Sequence, residues 1–176
     1  MIRGFRTRRA VHACHAIGIV IASLIPDAAG AQTAPPMARV RSEHALIAGL
    51  IADAKALSTT FRSLVEAIDA TDGIVYVGSG QCGRGARACL VHSMQIAGPH
   101  RILRVLVNTR RDRWWLAGAI GHELQHAVEV LRQPEITTTQ EMFFYFFGSS
   151  TSATVRFETK EAIDAGLQIE HELKTR

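Results

Sequence analysis

Ala117-Gly118-Ala119-Ile120-Gly121-His122-Glu123-Leu124-Gln125-His126-Ala127-Val128-Glu129-Val130-Leu131 is apolar or small on nearly every turn. A surface helix carries charge along one face, so this pattern predicts a buried one. Asp112 is a plausible N-cap and Pro134 lies just beyond the end, which bounds the helix at about Asp112 to Arg132. Within it, His122 and His126 stand one turn apart on the same face. Buried imidazoles and a buried carboxylate need partners, and a metal ion provides them. Two such imidazoles can grip one Zn²⁺ at about 2.0–2.1 Å. Glu123 is displaced about 100° round the axis, so it can reach a water as general base without being a ligand.

Outward from this helix, the order is helices, a small antiparallel sheet, then helices, an α+β layout. Ser42 to Ala70 reads as helical, with Ser58-Thr59-Thr60 dividing it in two and capping the second part. Ile74-Val75-Tyr76-Val77 is β-rich. Leu90–Ile96 and Arg101–Val107 read as a hairpin across Ala97-Gly98-Pro99-His100. Downstream come an aromatic helix from Gln140 to Phe147, a loop from Ser149 to Thr154 and a last helix from about Val155 to Leu173.

The N-terminus has the three parts of a secretory signal. Met1 to Arg9 is basic, Ala16 to Pro26 is apolar, and Ala29-Gly30-Ala31 is a small-x-small cleavage site. The apolar run is shorter than the roughly 20 residues that span a membrane. Residues 1–31 are therefore expected to be a signal peptide, 32–41 a linker and 42–176 the folded domain, periplasmic or secreted and without a membrane anchor after cleavage near Ala31. Beyond residue 31 there are 16 basic and 15 acidic residues, so no basic patch calls for nucleic acid. Two cysteines follow the leader, Cys82 and Cys89. In an oxidising compartment they are expected to form a disulfide closing the Gly83-Arg84-Gly85 turn.

Gly121-His122-Glu123-Leu124-Gln125-His126-Ala127 resembles the active-site helix of the zincin metallopeptidases. The resemblance implies a minimal zincin-like fold, with an edge strand that binds extended peptide by strand addition. The metzincin pattern is excluded, because Glu129 and Arg132 stand where it wants Gly and His. A gluzincin-like pattern, with a downstream Glu ligand, remains. The wider run, including Phe61-Arg62, Ile74-Val75-Tyr76-Val77 and Phe157-Glu158-Thr159, is similar to small exported bacterial proteins of unassigned activity.

Three glutamates compete for the third ligand position. Glu129 shares the histidine face but lies about 10 Å along the axis from His122. Glu141 opens the aromatic helix, where a negative charge also suits the helix dipole. Glu158 is preferred. Projected at about 100° per residue, it begins a stripe with Ala162, Ala165, Ile169 and Leu173, so it would open a closely packed face. Glu161, Asp164, Gln168 and Glu172 form a neighbouring stripe that reads as solvated. The competing explanation for Glu158 is a salt bridge to Arg62. Ala162 stands where a gluzincin often has an acidic residue that orients a histidine. Tyr145 is a candidate oxyanion donor, the role that tyrosine or histidine plays in similar enzymes. His92 is a further residue that could face the cleft.

The expectation is a zinc-dependent hydrolase, a metallopeptidase acting on peptide or protein substrate in an extended conformation. Two other readings stand beside it: a non-catalytic zinc-stabilised binding protein on the same scaffold, and a cell-wall peptide amidase.

Overall fold

In the segments 73–79 and 100–107 every second side chain is buried, the period of a strand with one face on a core. The computed structural model describes residues 37–110, 112–149 and 158–175, without the side chains of Arg84 and Ser149. The expected signal peptide, residues 32–36 of the expected linker and residues 150–157 lie outside the described residues. The description below concerns the unit that begins at Pro36.

Its strands are β1 (Val40–Arg41), β2 (Gly73–Ser79), β3 (Ala88–Leu90), β4 (Gln95–Ala97) and β5 (His100–Val107). Its helices are α1 (Ala45–Leu57), α2 (Thr59–Asp69), α3 (Arg113–Leu131), α4 (Thr139–Ser149) and α5 (Lys160–Lys174). The α+β class is present, but the sheet is mixed and not antiparallel as expected. β1 and β5 flank β2 in parallel, while β3 and β4 both pair antiparallel with β5. The expected hairpin survives in part. β4 and β5 are joined by the two-residue loop Gly98-Pro99, where Gly98 supplies φ +57°. β3 is a separate short strand on the same partner. The linker also ends earlier than expected, because Val40–Arg41 pairs with Val75–Tyr76.

Val75, Val77, Leu103, Val105 and Val107 turn one sheet face inward. α3 is buried almost all round, in keeping with its apolar sequence. Ser58 separates α1 from α2 and accepts from the Phe61 N–H at 2.9 Å, the Ser/Thr cap read from the sequence. Glu172, expected in solvent, is partly buried instead. It accepts from Thr60 Oγ1 at 2.8 Å and is also bonded to Ser58, so α5 holds the junction of α1 and α2.

α3 and α5 meet main chain against main chain. A Cβ on Gly118 would lie 2.9 Å from the Gly166 carbonyl oxygen. A Cβ on Gly166 would lie 3.2 Å from both the Gly118 carbonyl oxygen and His122 Cβ. Glycine at both positions lets α5 lie this close beside the first histidine.

Arg101 of β5 fastens the other end of α3. It is 4% exposed and forks onto the Asp72 carboxylate. It also donates to the carbonyls of Leu131 (2.7 Å), Gln133 (2.7 Å) and Ile136 (3.0 Å), which follow or end the helix.

Cys82 and Cys89 form the expected disulfide across a 3₁₀ turn at Gly83–Gly85. Replacing both cysteines by alanine is expected to lower stability by about 2–3 kcal/mol, the loop-entropy value for so short a ring. Urea unfolding of the variant and the parent measures it. Equal midpoints would show that the ring contributes nothing.

Candidate metal centre

Helix geometry brings His122 and His126 together as the spacing requires. Their ring centroids are 4.9 Å apart and the planes nearly perpendicular, at 79°. The third member comes from the segment just before α5. Glu158 Oε2 lies 3.1 Å from His122 Nε2. Donor atoms of His122, His126 and Glu158 all fall within 4.8 Å of one another, so this group could hold a metal ion.

Glu158 reaches that place differently from the expectation. It does not open a helical stripe. α5 starts at Lys160, with Thr159 as N-cap accepting from the Ala162 N–H at 3.2 Å. Ala162, Ala165 and Ile169 are buried as the stripe predicts, while Glu158 sits ahead of the cap in non-helical backbone. Arg62, the suggested salt-bridge partner, instead donates to the carbonyls of Lys55 and Ala56 at the end of α1.

The other two glutamates have different positions. Glu141 is exposed at the start of α4 and forms a capping box. It accepts from the Thr138 N–H at 2.9 Å, and Thr138 Oγ1 accepts from the Glu141 N–H at 3.2 Å. The Thr137 N–H, which also donates to it at 2.8 Å, and then Thr138 hold its carboxyl below the usual range. Glu129 stays off the triad and bonds to His126 Nδ1 at 3.0 Å. Burial alone would raise its carboxyl, but His126, Thr159 and Gln125 together hold it low.

Of the two imidazoles, His126 has its outer nitrogen engaged. His126 Nδ1 faces Glu129. His122 Nε2 faces Glu158. The Nε2 atoms are left for the centre. The donor chemistry fits zinc: two imidazoles and one carboxylate, with room for a fourth ligand. Ligands at about 2.0–2.1 Å from a tetrahedral ion stand about 3.3 Å apart, so modest contraction suffices. Burial first, and then the neighbouring His126, pushes the His122 ring towards its neutral, ligand-competent form.

Glu123 lies beside the triad and is buried, and that burial pushes its carboxyl up to about 7. Its Oε2 accepts from the Leu90 N–H at 2.7 Å. The register of β3 explains this bond. Asn108 N–H donates to the Arg87 carbonyl and Val91 N–H to the Arg104 carbonyl, both at 2.8 Å. Arg87 and Val91 therefore face β5, and Ala88 and Leu90 point their backbone groups away from it.

A cavity of about 640 Å³ is lined by His122, Glu123, His126 and Glu158, with Leu90, His92 and Phe146 among its walls. A neighbouring cavity of about 300 Å³ shares His122, Glu123 and Glu158 and adds Ile163 and Leu167 of α5. His92 stacks on Phe146, with centroids 5.7 Å apart. Burial, then His126, lowers its tendency to protonate. Tyr145 is partly buried against the core and does not line the cavity; the neighbouring Phe146 does. Trp114 and Trp115 sit at the start of α3, under Lys174 and Arg87 respectively. Among the described residues no helix is long and apolar enough to cross a membrane. Compared with models of known protein families, with curated proteins and with solved structures, the chain matches none.

Proposed function

We propose that the chain is a small zinc-dependent hydrolase of zincin type that acts on peptide bonds. The observation that carries this reading is the convergence of His122, His126 and Glu158, with Glu123 beside them but outside the donor set. Zinc held there supplies a Lewis acid that polarises a carbonyl and acidifies water. Glu123 takes the proton of the attacking water and passes it to the leaving amine. Its raised pKa suits both halves of that task near neutral pH. His92, as a neutral imidazole in the cavity wall, takes the oxyanion-donor role first considered for Tyr145. The substrate lies extended along the free edge of β3, pairing with Ala88 because the Leu90 N–H is already bonded to Glu123. The disulfide is compatible with an oxidising compartment, and export with cleavage near Ala31 belongs to the same proposal.

Zinc content and peptide-library digestion of the same preparations test the reading. The parent should carry one zinc and cut peptides, and a chelator should abolish cutting. His122→Ala and His126→Ala should each lose stoichiometric zinc. A variant that keeps one tightly bound zinc would place the site elsewhere. The bond from Leu90 to Glu123 also suits a non-catalytic binding protein, in which that carboxylate only closes the cleft. A zinc-loaded parent that cuts nothing in the library would select that reading.

A further inference from the structure

Glu129 fails as a ligand, yet it is among the best-connected carboxylates of the chain. Its side chain is 11% exposed and that of His126 5%. Oε2 accepts from His126 Nδ1 at 3.0 Å, while Oε1 accepts from the Thr159 hydroxyl at 2.7 Å and from Gln125 Nε2 at 3.2 Å. The two oxygens thus serve two different elements. One holds a ring on α3, one turn back along the same helix. The other holds the N-cap of α5, 30 residues away in sequence.

Thr159 makes the second link directional. Its oxygen already accepts from the Ala162 N–H, so its single hydroxyl hydrogen is left for Glu129. Thr159 is also the residue that follows Glu158. Fixing its side chain fixes where the backbone delivers the Glu158 carboxylate. The bond to His126 fixes the other half, since a proton on Nδ1 leaves the Nε2 lone pair for the centre.

We propose that Glu129 is the positioning residue of the metal centre, setting two of its three ligands at once: His126 directly and Glu158 through Thr159. This rests on the metal reading above. The competing role is a plain tie between two helices, which would move stability and leave the centre alone.

The variants Glu129→Ala, Glu129→Gln, Thr159→Val and Thr159→Ser separate the two roles. Three quantities are read on each: zinc affinity by competition with a chromophoric chelator, the visible spectrum of the cobalt(II)-loaded protein, and urea stability after chelator treatment. Glu129→Ala should weaken zinc about 10–100-fold, the usual effect of losing a partner behind a ligand. Glu129→Gln offers an oxygen to only one of the two donors and should fall between it and the parent; it serves if the alanine variant does not fold. Thr159→Val should weaken zinc in the same direction and shift the cobalt spectrum. Thr159→Ser, which keeps the hydroxyl, should restore both. In the double variant Glu129→Ala/Thr159→Val, the threonine change should add little, because its link is already gone. Parental zinc affinity and cobalt spectra in Glu129→Gln and Thr159→Val would overturn the proposal. So would full additivity in the double variant. A parent protein that takes no zinc at all would overturn the metal reading, and this inference with it, and that outcome is read on the parent alone.

Discussion

Glu123→Gln is expected to lower peptide hydrolysis by about 10²–10⁴-fold while zinc content stays at the parental stoichiometry. The substitution keeps the volume of a buried side chain. Its amide oxygen can still accept from the Leu90 N–H, so β3 and α3 stay joined. What it removes is a carboxylate able to take a proton near neutral pH. The carboxylate is not one of the three converging donors, so the metal should be retained. Zinc analysis and peptide digestion on one sample decide the matter. Unchanged hydrolysis would remove the enzymatic reading and leave the binding protein. Lost zinc would mean that Glu123 belongs to the donor set after all.

The largest effect on stability is expected at Arg101. Arg101→Met should cost about 2–4 kcal/mol, the result of leaving buried carbonyls at the end of α3 short of a donor. The guanidinium serves the Asp72 carboxylate and the carbonyls at the end of α3 together; the exposed carboxylate can turn to water and the Gln133 carbonyl keeps the Ile136 N–H, so the loss falls on the carbonyls of Leu131 and Ile136. Arg101→Lys should recover only part, because a single ammonium cannot reproduce the planar fork. Urea unfolding in the presence of chelator reads this without a contribution from metal. A loss under about 1 kcal/mol would show that water replaces the fork at little cost.

Much of the centre was legible because it is local. Two histidines four apart on an apolar helix need no tertiary knowledge to be placed on one face, and Glu123 follows from the same projection. Periodicity points to Glu158 for a reason that holds only in part. Helical periodicity downstream is real, but Thr159 caps the helix one residue after Glu158, and a cap and a first turn look alike in a periodic pattern. The job of Glu129 was not readable. Its bond to Thr159 joins residues with no local relation, and distance along the axis only weighed against it as a ligand. The sheet was misread for a similar reason. A hairpin is a local object, whereas the parallel pairing of β2 with β5 is decided by how the intervening chain folds back. β1, two residues long inside a Pro-containing stretch, carries too little pattern to be seen. Nor does anything in the sequence mark Arg101, since its importance lies in where α3 ends in space.

The glycine contact between α3 and α5 bears on how such a protein could change over generations. Where helices meet through side chains, a larger residue on one can be answered by a smaller one on the other, and the pair drifts in steps. At Gly118 and Gly166 no smaller residue exists to give the answer. Descendants of this chain would therefore find these two positions closed to gradual exchange, while a neighbour-free position such as Gly49, where a Cβ would meet nothing within 4 Å, stays open. Respacing the histidine helix from its glutamate would require shifting α5 as a whole. The interval between His122 and Glu158 is thus inherited as a unit and is not adjustable residue by residue.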